Sequence, residues 1–194
     1  MKARTHDIAA ATALLGVIVV MPDPPTVTLS TAVAVLIANQ LGGIAPDIDQ
    51  PTAPFWRNLP IGGVIGRVIT KMLGGHRFIT HSIAGLVAVG LLLTVFLTFI
   101  QPLLPTVDMN YVWWGFMIGM VSHLVMDTFT KEGVPWLLPI PVKIGVPPIK
   151  RLRITTGKWT ENFIALPTLL GVIVLLCINN YEYLWVLVHE HIVR

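Results

Sequence analysis

The sequence predicts an all-α polytopic membrane bundle of about five spans, with a short interfacial amphipathic helix and a Pro-rich cytoplasmic loop, forming a single integral-membrane domain over 1–194. Two observations predict it. The 194 residues are 54% hydrophobic and only 12% charged, with a mean hydropathy of +0.75, too apolar for an ordinary water-soluble domain. The apolar residues also gather in long segments, and the basic residues fall almost wholly in the loops of one side.

The first span covers about 5–21. Lys2 and Arg4 precede it, as in a secretory signal, but no small-residue cleavage site comes before Pro22, Pro24 and Pro25, so it is expected to be retained. The second, 27–45, carries Asn39 and Gln40 and runs into Pro46, Asp47, Ile48 and Asp49. Next, Ile61, Val64, Ile65, Val68, Ile69 and Met72 recur at helical spacing opposite Arg67, Thr70 and Lys71. This short amphipathic helix reads either as an interfacial anchor or as a lid over a pocket.

The third and fourth spans cover 82–104, entered by His81, and 110–129, opened by Trp113 and Trp114. Prolines 135, 139, 141, 147 and 148 exclude a long helix from the loop that follows, where alternation over 149–154 allows a short strand or hairpin. The fifth span is 163–178, and Tyr181, Tyr183 and Trp185 after it suit an interfacial girdle. A cytoplasmic N-terminus places loops 46–80 and 129–162 on the same side, and with them every one of the 13 Lys and Arg residues except Arg194. Cys177 is the one cysteine, so no internal disulfide forms.

This topology brings His6, Asp47, Asp49, His76, His81, His123, Asp127 and Glu161 to one depth, at the cytoplasmic ends of the spans. The strongest local signal is His123 with Asp127 in GMVSHLVMDTFT. One helical turn apart, they leave the same face and can grip one divalent cation; the alternative is a buried ion pair. Asp47 and Asp49 repel unless a cation or shared proton compensates them, or they form a solvated turn.

In GGHRFITHS, His81 is a further candidate metal ligand. His76 suits a ligand, a general acid or an outer-shell group. Arg77 is the fork for a substrate phosphate or carboxylate, or a topology-setting charge. His6 is a lone histidine raised to candidate ligand by its depth. Glu161 is a ligand, a general base, or a carboxylate held at a helix N-terminus. Lys150, Arg151 and Arg153 suit lipid headgroups, Gly157-Lys158 lacks the rest of a phosphate loop, and His189 and His191 lie in the external tail.

In one order, the early His6, the PDID of Asp47 and Asp49, the GHRxxTHS of His76, Arg77, His81 and Ser82, and the SHLxxDxxTxxGVPxLxP from Ser122 to Pro139 resemble the YdjM-type family of inner-membrane metal-dependent hydrolases. The resemblance spans 1 to about 165. It implies a multi-span bacterial inner-membrane protein holding a divalent metal, and some members of the family are under control of LexA, the SOS repressor. The His-three-residues-Asp helix is similar, more distantly, to bacterial zinc-dependent phospholipase C.

Together these readings lead to a hydrolase at the cytoplasmic leaflet, cleaving a phosphoester of a lipid or lipid-like amphiphile. His6, Asp47, Asp49, His81, His123 and Asp127 are its expected metal ligands. His76, Arg77 and Glu161 are its expected catalytic groups. Zinc leads, with manganese and iron suited to the same ligands. Membrane lipids are the expected partners and nucleic acid is not. The rivals are an ion or proton transporter and a non-catalytic metal-stabilised membrane scaffold.

Overall fold

The computed structural model describes the chain apart from Pro54, Phe55, Arg57, 73–76, Pro141 and Arg194. Helices form where the apolar segments lie: α1 (Ala3–Val19), α2 (Leu29–Ile44), α3 (Gly62–Met72), α4 (Ile83–Ile100), α5 (Met109–Thr128), α6 (Leu166–Asn179) and α7 (Tyr181–Val186). Polar residues start three of them. Thr28 accepts from the amide of Thr31, Ser82 from Gly85 and Asp108 from Asn110, each filling a donor orphaned by the helix start. Among the described residues, three helical stretches are long and apolar enough to cross a membrane: Leu29–Asp49, Ile83–Leu103 and Glu161–Asn179.

Helix α5 is the hub: α2 packs along it most extensively, and α1 and α4 also lie against it. Glycines permit the α2–α5 approach. A Cβ on Gly42 would overlap the carbonyl of Phe116, and one on Gly119 the carbonyl of Asn39. Asn39 Nδ2 donates across the seam to Gly115 O at 3.1 Å. On the outer surface Leu91, Leu92, Val95, Phe96 and Phe99 of α4 are exposed, the arrangement of a helix that faces lipid.

The two ends of the bundle differ in chemistry. At one end Ala38, Leu97, Val107 and Val112 form an apolar core. Beyond it, Thr28 Oγ1 donates to Thr106 O at 2.8 Å, and a two-residue strand β1 (Val27–Thr28) pairs in parallel with β2 (Ile192–Val193). The tail that carries His189 and His191 is helical through α7 and then pinned, with His189 stacked on Trp185 and His191 bonded to Thr26. At the other end a set of polar residues is buried: His6, Asp49, Arg77, His81, His123, Asp127 and Glu161.

The Pro-rich loop folds back under that polar end. Ile83 N donates to Trp136 O at 3.0 Å and Trp136 Nε1 to Thr128 Oγ1 at 2.9 Å. The strand or hairpin expected over 149–154 is instead a helical turn at Lys150–Leu152, with single bridges joining Thr130 to Ile154 and Val134 to Ile144. Pro147 and Pro148 have no N–H for a ladder, and their carbonyls are taken by Arg153, at 2.7 and 3.1 Å. Helix α3 forms as its periodicity predicts and sits on the aspartate turn, where Thr70 Oγ1 donates to Asp49 O at 2.8 Å.

Candidate metal centre

The last two turns of α5 bury His123 and Asp127 against the end of α2. His123 Nδ1 lies 2.6 Å from Gly43 O, and because a carbonyl only accepts, the ring's proton sits on Nδ1. Nε2 is left with its lone pair aimed inward and, among the described residues, with no hydrogen-bond partner. Pro46 turns the chain at the end of α2 into the short helix Ala45–Asp49, which places the Asp47 carboxylate beside that nitrogen at 3.6 Å.

Ile79–His81 brings in the third element. Asp49 accepts from the amide of Arg77 at 2.9 Å and from the hydroxyl of Thr80, and stands 3.3 Å from His81 Nδ1. A carboxylate behind one ring nitrogen orients the other. His81 Nε2 faces Asp127 Oδ2 at 3.7 Å and Asp47 Oδ1 at 4.0 Å, while His123 Nε2 stands 3.8 Å from Asp127 Oδ2. His81 Nε2 and His123 Nε2 therefore each stand 3.6–4.0 Å from both Asp47 Oδ1 and Asp127 Oδ2, four ligand-type atoms from three segments.

Comparison with known proteins identifies the family. The model of the YdjM inner membrane protein family matches residues 1–189. The chain belongs to the YdjM inner membrane protein family. It is also 28% identical over 127 residues to "Uncharacterized protein YvsG" of Bacillus subtilis (strain 168), covering 66% of this chain and 68% of that protein. No solved structure matches it.

In this YdjM-family chain the donor set fits a divalent cation. Tetrahedral bonds of about 2.0–2.2 Å put ligand atoms about 3.3–3.6 Å apart, so the observed spacing closes with shifts of a few tenths of an ångström. His6 extends the set: with His123 and Asp127 it forms a second trio of possible ligands, overlapping the trio of Asp47, His81 and His123. Its ring lies parallel to that of His123, centroids 3.7 Å apart, and its Nε2 is 3.4 Å from Asp127 Oδ1.

Arg77 reaches the centre from the outside. Its backbone has a positive φ of 58°, a conformation that costs a non-glycine residue about 1 kcal/mol or more and is held here by the amide's bond to Asp49. Its guanidinium contacts Asp127 Oδ2 at 2.6 Å and Thr130 Oγ1 at 2.8 Å. Arg77 Nε is buried and has no acceptor among the described residues. The Met1 ammonium contacts Asp127 Oδ1 at 2.8 Å.

Glu161 lies apart from the cup. Its carboxylate accepts from Lys2 N at 2.6 Å, Thr5 Oγ1 at 2.7 Å and Gly157 N at 2.6 Å, tying the start of α1 to the start of the helical stretch that leads into α6. His76 is outside the described residues. The lysine and arginine patch is divided in use, since Arg153 braces the Pro-rich loop. Sequence reasoning passed over Thr80 and Thr130, whose hydroxyls hold Asp49 and Arg77. The signal was their place inside the THS and DTFT motifs.

Proposed function

We propose that the chain is a membrane-embedded metal-dependent hydrolase that cleaves a phosphoester of a lipid or lipid-like substrate at the cytoplasmic leaflet. The observation that carries this reading is that His81 Nε2 and His123 Nε2 each stand within 4.0 Å of both Asp47 Oδ1 and Asp127 Oδ2. His81, His123 and Asp127 are buried together at one end of the helices with Asp47 half-buried beside them, a donor set that is costly to desolvate without compensation. A bound divalent cation supplies it, together with Lewis acidity and a water made acidic enough to be a nucleophile near neutral pH.

The chain's own groups divide the remaining work. Asp47, His81, His123 and Asp127 hold the ion, with zinc first and manganese or iron suited to the same donors. Asp49 orients His81, and His6 is a fifth donor beside Asp127. Arg77 Nε, a buried donor without an acceptor among the described residues, faces the substrate phosphate. His76 is assigned proton transfer to the leaving oxygen from its place in GGHRFITHS. Glu161 acts through α1, by keeping His6 at the cup.

The reading includes five crossings, with α1 and α5 joining the three apolar stretches and the N-terminus in the cytoplasm. The polar ends of α1, α2, α4, α5 and α6 lie together, as that threading requires. Elemental analysis of detergent-purified protein, followed by a screen of lipid phosphoesters, tests it. Near-stoichiometric metal and phosphate release, both removed by His123→Ala and by Asp127→Ala, are expected. Retained metal without turnover on any phosphoester favours the scaffold, and an ion flux in proteoliposomes that survives metal removal favours the transporter.

A further inference from the structure

A groove of about 490 Å³ runs between α1, α5 and α6, away from the cup. On α5 it follows the stripe from Trp113 and Trp114 through Met117 and Val121 to Met126, and on α1 it is floored by Ala9 and Ala13. Ala9 and Ala13 continue the face of α1 that carries His6, at three and seven residues' distance. Met126, one residue before Asp127 but about 100° round the helix from it, closes the groove at the depth of the cup, and Ala9 lies one turn of α1 from His6.

Its lining offers nothing to a polar occupant. Thr12 Oγ1 is turned back on Ile8 O at 2.7 Å, Ser122 Oγ on Gly119 O at 2.7 Å, and Trp113 Nε1 on Gly90 O at 3.0 Å. A hydrocarbon loses nothing there. Size decides between hydrocarbons. From Trp113 to Met126 the groove follows α5 for about 20 Å, and a helix about 10 Å across needs about 1,600 Å³ over that length, more than the groove holds. A single alkyl chain fits.

We propose that this groove is the tail site of the substrate: it takes one long hydrocarbon chain of an amphiphile whose phosphate head lies at the His81, His123, Asp47 and Asp127 cup. The inference rests on the reading of that cup as a phosphoester site and narrows its substrates to amphiphiles with a long chain. Small residues on α1 make the room, so a large side chain at Ala13 closes it.

Labelling tests this without turnover. The full chain in phosphatidylcholine nanodiscs is irradiated with an oleoyl lysophosphatidate carrying a diazirine near the chain end, and adducts are mapped by mass spectrometry. Saturable adducts are expected on peptides holding Met117, Val121 or Met126, competed by unlabelled lysophosphatidate, and about tenfold weaker in Ala13→Trp, since displacing a few methylenes costs that much affinity. Val121→Phe serves as a second block, and bound metal in both variants reports that they fold. Adducts spread equally over the lipid face of α4, or equal labelling in the blocked variants, would overturn the tail site. Groove labelling with no phosphoester cleaved removes the hydrolase reading alone; cleavage with scattered labels removes this inference alone.

Discussion

His6 and His123 lie ring on ring, 9° from parallel with centroids 3.7 Å apart, although they stand on different helices and 117 positions separate them. The stack ties the first turn of α1 to the hub helix. It also sets His6 Nε2 at 3.4 Å from Asp127 Oδ1. Ligation and stacking are separable by substitution. His6→Phe keeps a ring and removes the nitrogen, so metal affinity is expected to fall about 10–100-fold while the fold is kept. Titration of apo-protein with zinc reads the change, and a wild-type affinity would leave His6 a purely structural residue.

Asp49 touches His81 from behind and is met by the Arg77 amide and the Thr80 hydroxyl. Asp49→Asn retains the shape but weakens the group that fixes the imidazole's tautomer. Metal affinity should drop about 10–100-fold, with binding restored at high metal concentration. Asp47→Asn, which removes a ligand itself, should not be rescued in this way. Isothermal titration on the two variants separates the roles.

Glu161 accepts three hydrogen bonds that tie α1 to the start of the stretch leading into α6. Glu161→Gln loses the charge on that carboxylate, and hydrogen bonds to a charged group are each worth about 1.5–3 kcal/mol. Thermal unfolding in detergent, followed by a thiol-independent probe, should show a lowered midpoint. Metal stoichiometry at saturation should be unchanged. Loss of turnover with an unchanged midpoint would instead make Glu161 a general base.

Gly119 faces the Asn39 carbonyl with no space for a Cβ. Gly119→Ala forces α2 and α5 apart one turn from His123, with overpacking of about 1–3 kcal/mol. Because Gly43 O on α2 fixes the His123 ring, metal affinity is expected to fall together with stability. A variant that unfolds more easily yet binds zinc as tightly as wild type would show that the seam and the centre are independent.

Much of this architecture was legible in the residues themselves. Apolar run length and the placement of proline and polar caps located the helices, and α3 followed from its stripe of Val64, Ile65, Val68 and Met72. The gathering of Asp47, His81, His123 and Asp127 was legible because each lies near the end of a helix at the same end of the bundle. What local patterns do not encode is which partner a carboxylate finds across the chain. Glu161 meets Lys2 and Thr5, and Asp49 turns toward Thr80. These pairings depend on the bundle's closure. The pairing of Val27 with Ile192 likewise rests on two residues, too few to leave a strand signature.

That small clasp has a mechanical meaning. The loop after α1 and the tail after α7 are pinned to one another at the end remote from the cup, with Thr26 holding His191 beside them. The two ends of the bundle are thus fastened by different chemistry, backbone bonds at the clasp and side-chain ion pairs such as Arg77 with Asp127 at the end that carries the imidazoles.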